Sequence, residues 1–148
     1  MKRKFKSLKI KVFKNRYRIP VKRIEVVTIV NQVVREEAGD KEGEISVVFL
    51  PDEAIQGINR SFLKHDYPTD VIAFNLEDNP GEVLDGEVYI GFEQARMHAK
   101  EYGVSYREEI HRLIIHGVLH LCGWEDDTPP KKRKMAVREN YFLTKVLN

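Results

Sequence analysis

Apolar residues return every three or four positions through PVKRIEVVTIVNQVVREEAG (20–39), where Ile24, Val27, Val30 and Val34 fall on one stripe. That period is helical, and with Pro20 before it and Gly39 after it the pattern predicts a helix over 21–38. In KSLKIKVF (6–13) lysines instead alternate with Leu8, Ile10 and Val12, the period of a strand with one buried face. Alternating lysines also protect an edge strand from pairing with another chain. ISVVFL (45–50) is short, apolar and β-branched, and predicts a second strand. PDEAIQGINRSFLK (51–64) opens on a proline and acids, as helices do. DVIAFN (70–75) and EVYIGF (87–92) are two further strands, the latter after a turn at Asp85-Gly86. Helices over 93–102, 105–122 and 130–146 complete the chain, the last capped by Thr128 with Pro129 and Pro130 in its first turn. Strands and helices mix without strict alternation, so the expected class is α/β (α+β). One small mixed sheet of about four strands packs with about five helices.

At 148 residues the chain is expected to form one domain over 1–148. Folding at this size buries about 70% of the extended-chain surface, enough for a core without staples. The single Cys122 excludes an intramolecular disulfide and suits a reducing cytoplasm. The basic start MKRKFKSLKIKVF lacks the apolar run of a signal peptide, and no apolar stretch approaches the ~18 residues of a membrane span. A soluble cytoplasmic protein with no membrane partner is expected.

The formal net charge of +2 says little about partners, but its distribution says more. Residues 1–18 hold Lys2, Arg3, Lys4, Lys6, Lys9, Lys11, Lys14, Arg16 and Arg18 without one acid, and KKRK recurs at 131–134. Such blocks suit a polyanion such as nucleic acid; a solvated lysine face accounts for them equally.

The candidate chemistry lies in HGVLHLCGWEDD (116–127), where an otherwise buried helix carries two histidines four residues apart. Four residues advance a helix by about 400°, so His116 and His120 share a face roughly 6 Å apart, the geometry that chelates one ion. Gly123 permits a left-handed turn that can return Glu125, Asp126 or Asp127 to that ion. In the metzincin run H-E-x-x-H-x-x-G-x-x-H, His116, His120 and Gly123 match and Asp126 occupies the third-ligand position. Three protein ligands leave a fourth position open to water, whose pKa falls towards about 7 on zinc, so the pattern points to a catalytic site. Gly117 replaces the general-base glutamate of the proteases. Cys122 lies about 200° round the helix from His120 and reads as a small core residue.

Three segments resemble the YbeY family of single-strand-specific metallo-endoribonucleases: INRSFLKHDYPTDVIAF (58–74), LDGEVYI (84–90) and IIHGVLHLCGWEDD (114–127). The last is similar to the family signature H-G-x-L-H-L-x-G-Y-D-H. The resemblance implies one Zn²⁺ per chain held by His116, His120 and Asp126, with Asp126 standing where the family has histidine. It implies cleavage of single-stranded RNA in 3′-end maturation of small-subunit ribosomal RNA and in ribosome quality control. The expected partners are ribosomal RNA and the small ribosomal subunit, and not DNA. Leu63 stands where the family has an arginine, so Arg60 or Lys64 would supply that cation. Arg112, one turn before His116, would meet a phosphate or form a salt bridge. Glu125, at the family's aspartate, and Asp127 are the nearest groups for proton transfer or for supporting the ligands. Pro68 and Asp70 favour a turn into a strand that can present backbone groups to a linear substrate; in the plainer reading Thr69 and Asp70 only fix that turn. A zinc peptidase or amidase and a non-catalytic ribosome-assembly module that binds RNA are the rival expectations.

Overall fold

The computed structural model describes residues 8–77 and 83–146, so Lys2, Arg3, Lys4 and Lys6 of the basic start lie outside the described residues. The element order is β1 (Leu8–Phe13), α1 (Arg23–Ala38), β2 (Gly43–Leu50), α2 (Asp52–Leu63), β3 (Val71–Asn75), β4 (Gly86–Gly91), α3 (Phe92–Tyr102), α4 (Tyr106–Leu121) and α5 (Pro129–Val146). The strands form one mixed sheet in the order β1-β2-β4-β3, with β3 antiparallel to β4 and the other pairs parallel. Among the described residues, four strands with five helices make the α/β class that the patterning predicts. β1 lies at an edge, where Lys9 and Lys11 are exposed and Lys11 pairs with Glu44 at 3.3 Å. The alternating lysines therefore act as edge protection.

Helix α1 is where the predicted expectation needs correction. Val30 and Val34 are buried as expected, but Ile24 is 65% exposed, and Val26, Ile29 and Val33 complete the buried face. Both stripes have helical spacing, because the segment is apolar around much of its circumference. Packing against β1 and α4 selects the one that recurs at i, i+3, i+4, i+7 and i+8.

Helix α4 crosses the middle of the molecule and touches α1, α3, α5, β3 and β4. It is buried on almost every side, through Ile110, Leu113, Ile114, Ile115, Val118, Leu119 and Leu121 among others. Its start is fixed by Ser105, whose Oγ accepts the Glu108 N–H at 3.0 Å. Close approach to the sheet comes from Gly117, where an added Cβ would stand 2.4 Å from Val88 Cγ1. Val88 sits in a row that runs across the sheet in register, Val12, Val47, Val88 and Ala73, so the helix meets a continuous apolar surface. Gly117→Ala is expected to lower stability by about 1–3 kcal/mol through overpacking, measurable by urea denaturation with the helix content unchanged. No helix among the described residues is long and apolar enough to cross a membrane.

Candidate metal centre

The buried helix α4 presents His116 and His120 from one face, one turn apart, with side chains 22% and 28% exposed. The helix then stops in a Schellman turn: Gly123, at φ 101°, donates to His120 O (3.0 Å), and Trp124 donates to Leu119 O (3.0 Å). Glycine takes that backbone conformation without the strain a Cβ would add. The reversal carries Asp126 back over the histidines. Its Oδ2 lies 3.5 Å from His116 Nε2 and 3.4 Å from His120 Nε2, and the two Nε2 atoms are 3.0 Å apart.

The hydrogen bonds on the far side of each ring define what these atoms offer. His120 Nδ1 is 2.9 Å from Trp124 O, a carbonyl that can only accept, so Nδ1 carries the proton. His116 Nδ1 donates to Glu139 Oε2 at 2.7 Å. Both rings are thereby held in the tautomer that turns an Nε2 lone pair towards the carboxylate of Asp126. Two lone pairs and an anionic oxygen converging within 3.5 Å repel one another unless a cation lies among them. Tetrahedral donors bonded at about 2.0–2.2 Å stand about 3.3–3.5 Å apart, close to the observed triangle. The donor set fits a divalent ion.

Glu139 is the residue that sequence reasoning missed. It is buried on α5 within the apolar stripe Met135, Glu139, Phe142 and Leu143, and a lone acid in such a stripe is the signal that would have found it. Burial opposes charge on His116, but the Glu139 hydrogen bond and the charges of Glu139, Asp126 and Asp70 outweigh it and raise the imidazole pKa. Glu139 also accepts from Arg112 Nη1 at 3.4 Å, while Arg112 Nη2 donates to Asn140 Oδ1 at 3.0 Å. Of the two roles expected for Arg112, a phosphate contact or a salt bridge, its guanidinium takes the salt bridge, behind His116.

A cleft of about 600 Å³ opens over the three donors, walled by β3 residues Val71, Ile72, Ala73 and Asn75, by Leu63 and Asp70, and by Trp124 and Glu125. Neither Arg60 nor Lys64 lines it. Arg60 pairs with Asp66 at 3.2 Å, and Lys64 ends α2 in a left-handed conformation at φ 60°. Buried Asn59 ties that end down, donating to Tyr67 O at 2.9 Å and accepting from His65 N at 3.2 Å. Glu125 lines the cleft but shares Lys131 with Asp127, at 2.7 and 3.2 Å. Burial pushes the Cys122 thiol up to about 12, as suits a packed residue outside the donor set.

Fold and donor set together define an α/β protein in which a central helix offers two histidines and the turn after it returns an acid, a group able to hold a metal ion. The chain belongs to the Endoribonuclease YbeY family, whose model matches residues 10–147. It is 41% identical to the Endoribonuclease YbeY of Parabacteroides distasonis over 76% of this chain and 78% of the relative. It is 38% identical to that of Chlorobaculum parvum over 78% and 80%. A solution structure of a Thermotoga maritima protein shares the fold at a TM-score of 0.62, with 22% identity over 94% of this chain and 88% of that one.

Proposed function

We propose that this protein is a zinc-dependent endoribonuclease that cleaves single-stranded RNA, with small-subunit ribosomal RNA as its substrate in the cytoplasm and ribosome quality control as part of its role. The observation that carries the reading is the convergence of two tautomerically fixed imidazoles and the Asp126 carboxylate within 3.5 Å, at the base of a cleft. The relatives' name, Endoribonuclease YbeY, supports RNA as the substrate. A divalent ion held there supplies a Lewis acid for a scissile phosphate and acidifies water at neutral pH.

The chain's own residues divide the remaining work. Glu139 and the Trp124 carbonyl orient the histidines, and Asp126 supplies the third donor. Strand β3, an edge strand on one side, walls the cleft with extended backbone that an unpaired strand of RNA can follow. Glu125 lines the cleft and is the carboxylate we assign to proton transfer, which release from Lys131 would free it to perform. Lys132, Arg133 and Lys134 are exposed on α5 and can draw in the phosphate backbone. The peptidase reading is opposed by Gly117, whose place against Val88 leaves no room for the glutamate base of that chemistry.

The test is cleavage of a single-stranded RNA oligomer and of its duplex by purified protein. Single strands should be cut, duplexes more slowly, with chelator abolishing cleavage and added zinc restoring it. Zinc-loaded protein that binds the oligomer but leaves it intact would make the chain a non-catalytic RNA-binding module.

A further inference from the structure

A second group of metal-binding side chains lies on the other side of Asp70. Asp70 enters β3, His98 projects from α3 and Glu109 from the first turn of α4, and one ligand atom from each falls within 4.8 Å of the others. His98 Nδ1 is 3.2 Å from Asp70 Oδ2. Asp70 is anchored from behind, because its carbonyl accepts the Gly91 N–H at 2.8 Å and fixes the entry of β3 against the start of α3.

Glu109 points to what the group is for. The residue is 2% exposed, and its Oε1 is buried without a hydrogen-bond partner among the described residues. A buried carboxylate oxygen with no donor is costly, and native proteins rarely keep one without a role. Burial first, and then the charge of Asp70, push the Glu109 carboxyl up to about 7, with Glu139 adding to the shift while Arg112 and His98 oppose it. Burial and the nearness of Asp70 both disfavour the charged carboxylate, and a cation held between the two acids would offset both.

We infer that Asp70, His98 and Glu109 form a second divalent-cation site, separate from the His116, His120 and Asp126 centre. Two carboxylates and one imidazole are an N/O set suited to Mn²⁺, Fe²⁺ or Zn²⁺ rather than to soft thiophilic ions. The side chains of Asp70 and His98 are 27% and 24% exposed, so an ion can enter from solvent while Glu109 closes the inner end. Asp70 also walls the cleft above the first centre, and a cation bound to it would bring positive charge to a wall that a phosphate backbone must pass.

The experiment is titration of the metal-free full chain with Mn²⁺, counting bound ions by electron paramagnetic resonance and by elemental analysis after gel filtration. Wild type should bind two ions. His98→Gln and Glu109→Gln should each bind one, with affinity at the lost site down at least tenfold, and His120→Ala should keep the ion that those variants lose. If Glu109→Gln does not fold, His98→Gln decides alone, since its side chain is partly exposed. A single ion in wild type that His120→Ala removes would overturn the inference, as would two ions that survive in His98→Gln. A single ion lost in His98→Gln but kept in His120→Ala would uphold it and overturn the proposed zinc centre instead.

Discussion

His120→Ala should lose zinc and ribonuclease activity together, by on the order of 10³-fold or more in cleavage rate, while its circular dichroism stays that of wild type. The size follows from what is removed: a three-donor site becomes a two-donor site, and the acidification of water from about 15.7 towards about 7 that a bound ion provides goes with it. The fold should survive because the core is apolar and continuous around α4, and the His120 side chain is 28% exposed at its margin. Loss of the His120 hydrogen bond to Trp124 O removes one net interaction, of about 1 kcal/mol. Asp126→His is the paired control. It restores an imidazole donor where the family has one and should retain metal, whereas Asp126→Ala should not. Elemental analysis of the three variants alongside the RNA assay separates loss of the ion from loss of the fold. Full zinc occupancy in His120→Ala would remove this centre from the mechanism.

What could be read from the chain depended on how far apart the cooperating residues lie. Strands and helices are local, and most followed from period and punctuation, as with the helix ending at Gly39 and α5 behind Thr128, whose Oγ1 accepts the Lys131 N–H at 3.3 Å. The turn expected at Asp85-Gly86 is instead extended backbone, with Gly86 opening β4 opposite Asn75 and the Asp85 carbonyl accepting the Leu76 N–H at 2.8 Å. Where a segment is apolar on several sides, as in α1, periodicity leaves two stripes open and tertiary packing chooses. The same rule governs the site. His116, His120, Gly123 and Asp126 lie within one helical turn and one reversal, so their geometry is dictated by local backbone and was legible. Glu139 reaches His116 from 23 residues away and His98 reaches Asp70 from 28, across contacts that only the packed sheet and helices create. Arg112, with a phosphate contact and a salt bridge both open to it from the chain alone, shows the limit most plainly. Spacing put Arg112 on the histidine face, but spacing cannot show that Glu139 and Asn140 already hold its guanidinium.

That long-range carboxylate supplies the sharpest test of how the centre is tuned. Glu139→Gln keeps an oxygen that can accept from His116 Nδ1 but removes the negative charge, so the imidazole becomes a weaker donor. Zinc affinity should fall by about 10- to 100-fold at alkaline pH, the usual effect of losing such an outer partner. The pH dependence then distinguishes tuning from mere support. In wild type the proton and the metal compete for His116 Nε2, and Glu139 favours both, since its hydrogen bond and charge are what raise the pKa against burial. Removing the charge lowers that pKa, so protons compete less in the variant as pH falls. The affinity gap between wild type and Glu139→Gln should therefore be widest above the His116 pKa and narrow below it, read by competition with a chromogenic chelator across pH. Nuclear magnetic resonance of the His116 imidazole in metal-free protein should show its pKa lower in the variant. A gap that is constant with pH, or an unmoved His116 pKa, would mean that Glu139 only holds α5 against α4 and that the basicity of the first histidine is set elsewhere.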